Sequence, residues 1–512
     1  MTFPSLEIFE SICEKWSIQS YLIRNSSRKR DIKMLFNSLT YAVFLPVVFF
    51  IYWMISHKYR WVLLLVSSYY FYMSWNPKYV VLILFTTFIS YICGILLKKV
   101  KKDWERKLCL TVTLAACLGV LFFFKYFNFV SKSICSFVGL FTIAPHPVLL
   151  KFMLPVGISF YTFQTLSYVI DVYRGTIEPE YHLGIYATFV SFFPQLVAGP
   201  IERAGNLLPQ IRSEKHFDYD NAMYGARQIL WGLFKKIAVA DVISVYVDAV
   251  YKNPSISSST DCLIAIFFFT IQIYCDFSGY SDIAIGSAKL FGIQLMTNFK
   301  SPYYSLSVRE FWSRWHISLS TWFKDYLYIP LGGNRCSKWK NYINILFTFL
   351  VSGLWHGANW TFVVWGGIHG LAQILEKQFH TDRFRRNRAG KIISWIVVFL
   401  FCSFAWVFFR ADSLKDATVI FFHTFSGLPE AVVNWNSGIG LDMMKCLKAL
   451  VAIAVVGVFD FVLLKQDLFT ERLSLIKKNK VIRIIAEYAL VALIIYSLEN
   501  GADMNQFVYF QF

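Results

Sequence analysis

The sequence predicts an all-α integral membrane protein with about 11 spanning or re-entrant helices. Three observations carry this reading. Hydrophobic residues make up 56% of the chain and charged residues only 16%, where a soluble domain carries about 25% charge. The apolar residues come in long runs, not amphipathic stripes, as in Val80–Leu97, Leu108–Phe124, Ile392–Phe409 and Ala449–Leu464. Each run approaches the roughly 17–25 residues that cross a bilayer as a helix. Tyr and Trp gather at the ends of such runs, as at Tyr52, Trp53, Tyr69, Tyr70 and Trp75, where amphipathic rings sit at headgroup depth. A large all-helical soluble protein would bury one core and show polar faces, and no such faces can be drawn here.

Taken in order, the apolar segments lie near 38–55, 61–75, 79–97, 108–124, 152–173, 183–199, 222–250, 261–275, 343–375, 391–409, 447–464 and 481–498. Some must be partial spans, and others are long enough to hold two elements. Polar excursions fall at 201–221, 252–260 and 426–446, and the chain has no internal repeat. Basic residues collect in short loops between apolar runs. One loop holds Lys98, Lys99, Lys101, Lys102, Arg106 and Lys107, a second runs from Arg383 to Lys391, and a third holds Lys477, Lys478, Lys480 and Arg483. The positive-inside rule places these loops in the cytoplasm. Alternation then puts 377–391 inside, 410–446 outside, 465–480 inside and the C-terminus outside.

One conflict remains at the start of the chain. With 98–107 inside, the three preceding spans put the start of the first one outside, yet Arg24, Arg28, Lys29, Arg30 and Lys33 should be held inside. The conflict is resolved if residues 1–33 are an extension, or an upstream start, and Met34 opens the functional chain. Residues 34–512 then form one polytopic domain. Recovery of Met1 from natively expressed protein would refute that division.

The formal net charge of +18 is accounted for by these loops, which removes nucleic-acid binding. The ten Cys show no metal spacing and no CxxC pair. Most lie in or beside apolar runs, where a free thiol behaves as a small hydrophobe. No HExxH, P-loop or GxGxxG motif occurs, and Ser281 lacks the second glycine of a nucleophile elbow. No metal and no bound cofactor is expected.

Residues 272–370 differ from everything around them. Between Gln272 and Arg335 lie the carboxylates Asp276, Asp282, Glu310 and Asp325, the bases Lys300, Arg309, Arg314 and Lys324, and His316. Such a stretch is tolerated at membrane depth only when buried in protein or lining a wet cavity. An interfacial helix pair with aromatic anchors is the alternative. The next stretch, Asn344 to Ile374, is apolar but holds His356 at its centre. An ionisable side chain inside a span is costly and marks a functional site by default. Gly353-x-x-x-Gly357 and Gly366-x-x-x-Gly370 bracket it as close-packing motifs. His369, thirteen residues on, points away from His356 on a continuous helix and is read as a packing histidine. What remains is histidine acid–base chemistry in a membrane-embedded cavity.

The words Trp-His-Ile-Ser-Leu-Ser (315–320), Asp-Tyr-Leu-Tyr-Ile-Pro-Leu-Gly-Gly-Asn-Arg (325–335) and Ser-Gly-Leu-Trp-His-Gly (352–357) resemble the membrane-bound O-acyltransferase superfamily. Tyr-Cys-Asp-Phe-Ser-Gly-Tyr-Ser-Asp (274–282), Phe-Pro-Gln-Leu-Val-Ala-Gly-Pro-Ile (193–201) and the ending Phe-Val-Tyr-Phe-Gln-Phe (507–512) point within it to the alginate O-acetyltransferase branch. The resemblance covers about 34–512 and supports Met34 as a start. It implies helices around a central channel in a multi-pass bacterial inner-membrane protein. It also implies passage of acetyl groups from a cytoplasmic donor, acetyl-CoA, to an extracytoplasmic polysaccharide acceptor. A separate extracytoplasmic partner of the SGNH-hydrolase type is expected.

By the same resemblance His356 matches the catalytic position and His316 the second histidine of the channel. A hydroxyl is a poor nucleophile, and an imidazole can take its proton as it attacks a thioester. His356 is assigned that role, and His316 is expected to orient the donor or to steady the oxyanion. Asp276, Asp282, Asp325 and Asn359 are candidates for orienting a histidine or lining the channel. Arg309 and Arg314 are candidates for attracting donor phosphates. Forty residues separate the two histidines, and sequence does not show whether they meet. D-alanyl or other acyl transfer to a cell-envelope polymer, and non-catalytic carriage of an acyl group or sugar, are the rival readings.

Overall fold

A computed structural model of the protein describes residues 34–141, 145–197, 199–427, 443–465, 480–499 and Phe507. The extension 1–33, most of the 426–446 excursion, Lys477, Lys478 and the closing residues 508–512 lie outside them. Every regular element among the described residues is helical. The first half holds α1 (Leu39–Met54), α2 (His57–Met73), α3 (Val80–Lys99), α4 (Asp103–Val138), α5 (Ile158–Arg174), α6 (Leu183–Ser191) and α7 (Ala204–Arg212). Next come α8 (Tyr219–Leu233), a π-helical stretch Phe234–Ala240, α9 (Asp241–Lys252) and α10 (Ser259–Leu290). Then follow α11 (Val308–Arg314), α12 (Ile317–Phe323), α13 (Lys338–His356), α14 (Trp360–Gln378), α15 (Arg388–Arg410) and α16 (Leu414–Ser426). α17 (Met443–Leu464) and α18 (Lys480–Glu499) complete the described chain.

Six of these helices are long and apolar enough to cross a membrane: α3, α4, α10, α15, α17 and α18. Their outward faces carry large apolar side chains such as Phe85, Ile392, Val451 and Ile485, the surface a bilayer would cover. The other expected segments are helical too, but are shorter or are packed inside the protein. α5 is 17 residues long and buries Thr162, Gln164, Thr165 and Ser167. A helix surrounded by protein needs no unbroken apolar run, because its polar groups find partners there.

Two boundaries differ from the sequence reading. α10 runs unbroken for 32 residues, so the polar stretch from Gln272 begins inside a continuous helix. The run 343–375 is a hairpin of two helices, not one element. α13 stops at His356, Gly357 is extended at φ −158°, and the Asn359 side chain caps α14 through the Thr361 N–H at 3.2 Å. His356 therefore terminates a helix. The helical-wheel argument that turned His369 away from it does not apply across this break.

Glycines set both close crossings near the site. A Cβ on Gly232 would lie 2.6 Å from the Gly279 carbonyl oxygen, and one on Gly225 would lie 2.7 Å from that of Gly286. α8 thus meets α10 backbone to backbone at two points seven residues apart. In the hairpin, a Cβ on Gly353 would strike the Phe362 carbonyl, and one on Gly366 the Phe349 carbonyl. Gly353→Ala is therefore expected to push α14 away and to destabilise the fold by about 1–3 kcal/mol, read as a lower thermal midpoint in detergent. An unchanged midpoint would show that the crossing has slack.

Two large apolar clusters form the interior. One joins α1–α3, α5 and α6 to the second half of α10, and the other joins α9, the first half of α10, α14 and α15. A small third cluster of Cys117, Phe163, Leu166, Ile201, Leu319, Trp322, Phe323 and Trp355 includes residues of α4, α5, α12 and α13. The two histidines lie against residues of all three.

Candidate active site

His316 and His356 come together. Their ring centroids are 6.3 Å apart, and the side chains are almost wholly enclosed, at 0% and 3% exposure. Trp355, Trp365 and Phe409 surround His356 at centroid distances of 5.0, 5.0 and 5.5 Å. Phe277 meets His316 edge-on at 4.6 Å. Water is largely excluded from such a shell, so electrostatic interactions within it are stronger than in solution.

Local backbone geometry aims each ring. His316 precedes α12 with φ +44°, in the left-handed region that side chains bearing a Cβ rarely occupy. Strain of this kind persists only where the surroundings over-determine it, and it clusters at functional sites. Here the Ile317 N–H donates to the Asn298 carbonyl at 3.0 Å, and His316 Nδ1 lies 3.1 Å from Asn298 Oδ1. His356 is the last residue of α13, where helical carbonyls lack partners.

Lys125 supplies those partners. Its ammonium lies 2.5 Å from the Trp355 carbonyl and 3.4 Å from that of His356. Tyr126 Oη donates to the Leu354 carbonyl at 3.1 Å. Both belong to a π-helical turn, Phe122–Tyr126, within α4, and such bulges often mark functional sites. Sequence reasoning passed over Lys125 as the end of an apolar run. The available signal was one cation amid Phe122, Phe123, Phe124, Tyr126 and Phe127. Lys125→Met is expected to lower turnover about tenfold by releasing a charge-assisted bond worth about 1.5–3 kcal/mol. Membrane abundance should be little changed, and full turnover would leave Lys125 without a part in holding His356.

A cleft of about 900 Å³ opens at the end of the molecule that holds the basic loop 377–391, and neither histidine ring lines it. Arg309, Lys324, Lys377 and Arg385 line it, against the carboxylates Glu376 and Asp382. Its inner wall holds Ile317, beside His316, and Ser352, one helical turn before His356. The outer tip of the α13–α14 hairpin lies at the opposite end, where Asn359 Nδ2 donates to the Asp412 carbonyl at 2.9 Å.

The remaining residues singled out by sequence fall in separate places. Asp276 pairs with Lys236 at 2.7 Å, as does Asp241. Asp282 pairs with Lys235 at 2.5 Å and accepts from Gln228 at 3.0 Å. These carboxylates thus have lysine partners on the π-helical stretch before α9. Asp325 faces Arg203 at 3.8 Å at a half-exposed position. Asn359 caps α14. Arg309 lines the cleft, while Arg314 is held by Glu310 at 2.6 Å. His369 is fully buried and accepts the Trp312 indole N–H at 3.2 Å, as a packing histidine does.

The arrangement is a pair of enclosed imidazoles and, separate from them, a basic cleft that reaches their neighbours Ile317 and Ser352. A sequence profile described as MBOAT, membrane-bound O-acyltransferase family, matches residues 177–411. The chain is 37% identical over 439 residues to a Pseudomonas aeruginosa protein named Probable alginate O-acetylase, covering 84% of this chain and 82% of that one. It is 37% identical over 434 residues to an Azotobacter vinelandii protein of the same name, covering 84% and 86%. It is also 35% identical over 430 residues to the Peptidoglycan O-acetyltransferase of Helicobacter pylori, covering 76% and 79%.

Proposed function

The chain belongs to the membrane-bound O-acyltransferase family, and from that premise we infer that it O-acetylates an extracytoplasmic polysaccharide. Relatives named for alginate and for peptidoglycan acetylation support this acceptor class. We propose acetyl-CoA as the donor, entering the cleft from the cytoplasm. Its phosphates suit the Arg309, Lys324, Lys377 and Arg385 lining, since guanidinium and ammonium groups are strong phosphate partners. The acetyl end would reach past Ser352 to the histidines. The basic loop 377–391 at the mouth of the cleft supports an inner-membrane orientation with that mouth inside.

In the reaction, a hydroxyl oxygen attacks the thioester carbonyl, a C–O bond forms and the C–S bond breaks. The hydroxyl proton must finish on the departing thiolate. His356 is proposed as the base that takes this proton during attack. At a reference pKa near 6.5 an imidazole can both accept and return it. The observation that carries the reading is the enclosed His316–His356 pair, with ring centroids 6.3 Å apart. An SGNH-type protein outside the membrane is proposed to hand the acetyl group on to the glycan.

Purified protein in lipid, given radiolabelled acetyl-CoA, is the test. Release of coenzyme A only when an acceptor glycan or the SGNH-type partner is present supports the reading. Movement of intact donor without thioester cleavage would replace it with the carrier reading.

A further inference from the structure

Asn298 is fully buried in the segment between α10 and α11, and no motif in the sequence marks it. Its side-chain amide is oriented without ambiguity. The backbone N–H of Ser318 lies 3.3 Å from Oδ1, and a backbone N–H can only donate. Ser318 Oγ accepts the Ile201 N–H at 3.0 Å, so its own proton is free to go to Asn298 Oδ1, 2.9 Å away. At the other end Nδ2 donates to Ser281 Oγ at 3.2 Å. Turning the amide over would set its N–H groups against the Ser318 N–H.

The atom 3.1 Å from His316 Nδ1 is therefore an acceptor, and Nδ1 must carry the hydrogen between them. A neutral imidazole has a single N–H. Nε2 is then left with its lone pair, and it is buried with no hydrogen-bond partner among the described residues. We propose that Asn298 is a positioning residue that fixes neutral His316 as the Nδ1–H tautomer, so that His316 serves the transfer as a proton acceptor at Nε2. The proposal rests on the acyl-transfer reading and refines it. A neutral His316 held this way has no N–H to offer an oxyanion.

The chemistry balances without a further reactant. The proton that His356 takes from the attacking hydroxyl passes to Nε2 of His316 and is returned to the thiolate as the C–S bond breaks. While His316 holds it at Nε2, the Asn298 oxygen faces an imidazolium N–H, a charge-assisted bond stronger than the neutral one. The same bond, with the Ile317 N–H to the Asn298 carbonyl at 3.0 Å, holds the ring in its left-handed backbone setting.

Two readouts test this. The first is nitrogen NMR of 15N-histidine protein in lipid, with the His316 signals assigned by their loss in His316→Gln. A protonated Nδ1 and a bare Nε2 are expected, and an Nε2–H ring in the wild type would overturn the proposal. The second is the pH profile of acetyl transfer. Asn298→Asp keeps the shape and sets a carboxylate against Nδ1–H, which favours the charged ring. The acidic limb of kcat/KM should move up by about one pH unit. Asn298→Ala should lower kcat about tenfold or more with little change in KM, a part of the roughly 10²–10⁴-fold that a positioned acid–base group contributes. A limb that stays in place in Asn298→Asp would also overturn the proposal, because a merely structural asparagine predicts that outcome. If the wild type fails to use acetyl-CoA, the donor assignment falls, and the tautomer measurement still decides this proposal.

Discussion

Replacing His356 by alanine is expected to lower acetyl transfer by about 10²–10⁴-fold, the range over which a positioned general base acts. The ring sits at the end of α13, beside His316 and walled by Trp355, Trp365 and Phe409. Removing it takes away the imidazole and leaves the Lys125 contacts to the backbone carbonyls of Trp355 and His356 in place. Donor binding in the cleft should persist, because the basic residues that line it are untouched. The signature is therefore a collapse of kcat with KM nearly kept, in protein present at wild-type abundance. A loss confined to KM would move His356 from chemistry to binding.

The second large effect concerns stability. Lys236 is buried at 1% exposure, and its ammonium lies 2.7 Å from both Asp241 and Asp276. Lys236→Met would strip the shared counter-charge from two enclosed carboxylates. Breaking a buried ion pair by removing one partner costs about 3–5 kcal/mol. The expected result is a sharp fall in thermal midpoint and in membrane abundance. Adding Asp276→Asn to Lys236→Met should restore part of it, since one of the two enclosed charges is then removed. A Lys236→Met protein as stable as wild type would show that water or protons reach the carboxylates freely.

These two sites differ in how far the sequence revealed them. Apolar runs announced the spans by length alone: the run Val80–Leu97 became α3 and Ile392–Phe409 became α15. His356 was visible because an ionisable residue in an apolar run is rare. Its approach to His316 was not, because forty residues separate them, with α12 and the length of α13 between, and only tertiary packing closes the gap. Asp276 and Asp282 stood out as carboxylates, yet their partners Lys235 and Lys236 sit inside the apolar segment 222–250, which reads as an ordinary span. The glycine pairs that press α8 against α10, and so bring lysine to aspartate, become meaningful only once both helices are placed. The break after His356 was hidden for a related reason. Gly357 suggests close packing as readily as a helix end, and the Asn359 cap decides between them.

Lys125 and Asn298 show what sequence reasoning lacks most. Each acts on a histidine that lies far away along the chain, Lys125 through backbone carbonyls and Asn298 through a side-chain oxygen. Neither belongs to a motif whose spacing would announce that role.

The most direct test of the central claim is the acetyl content of the envelope and secreted glycans in a strain lacking this protein. The strain would be complemented with wild type or with His356→Ala, at matched membrane levels. The account predicts that wild type restores acetylation and His356→Ala does not. Full restoration by His356→Ala would contradict it, leaving the membrane fold intact and the histidine without a catalytic part.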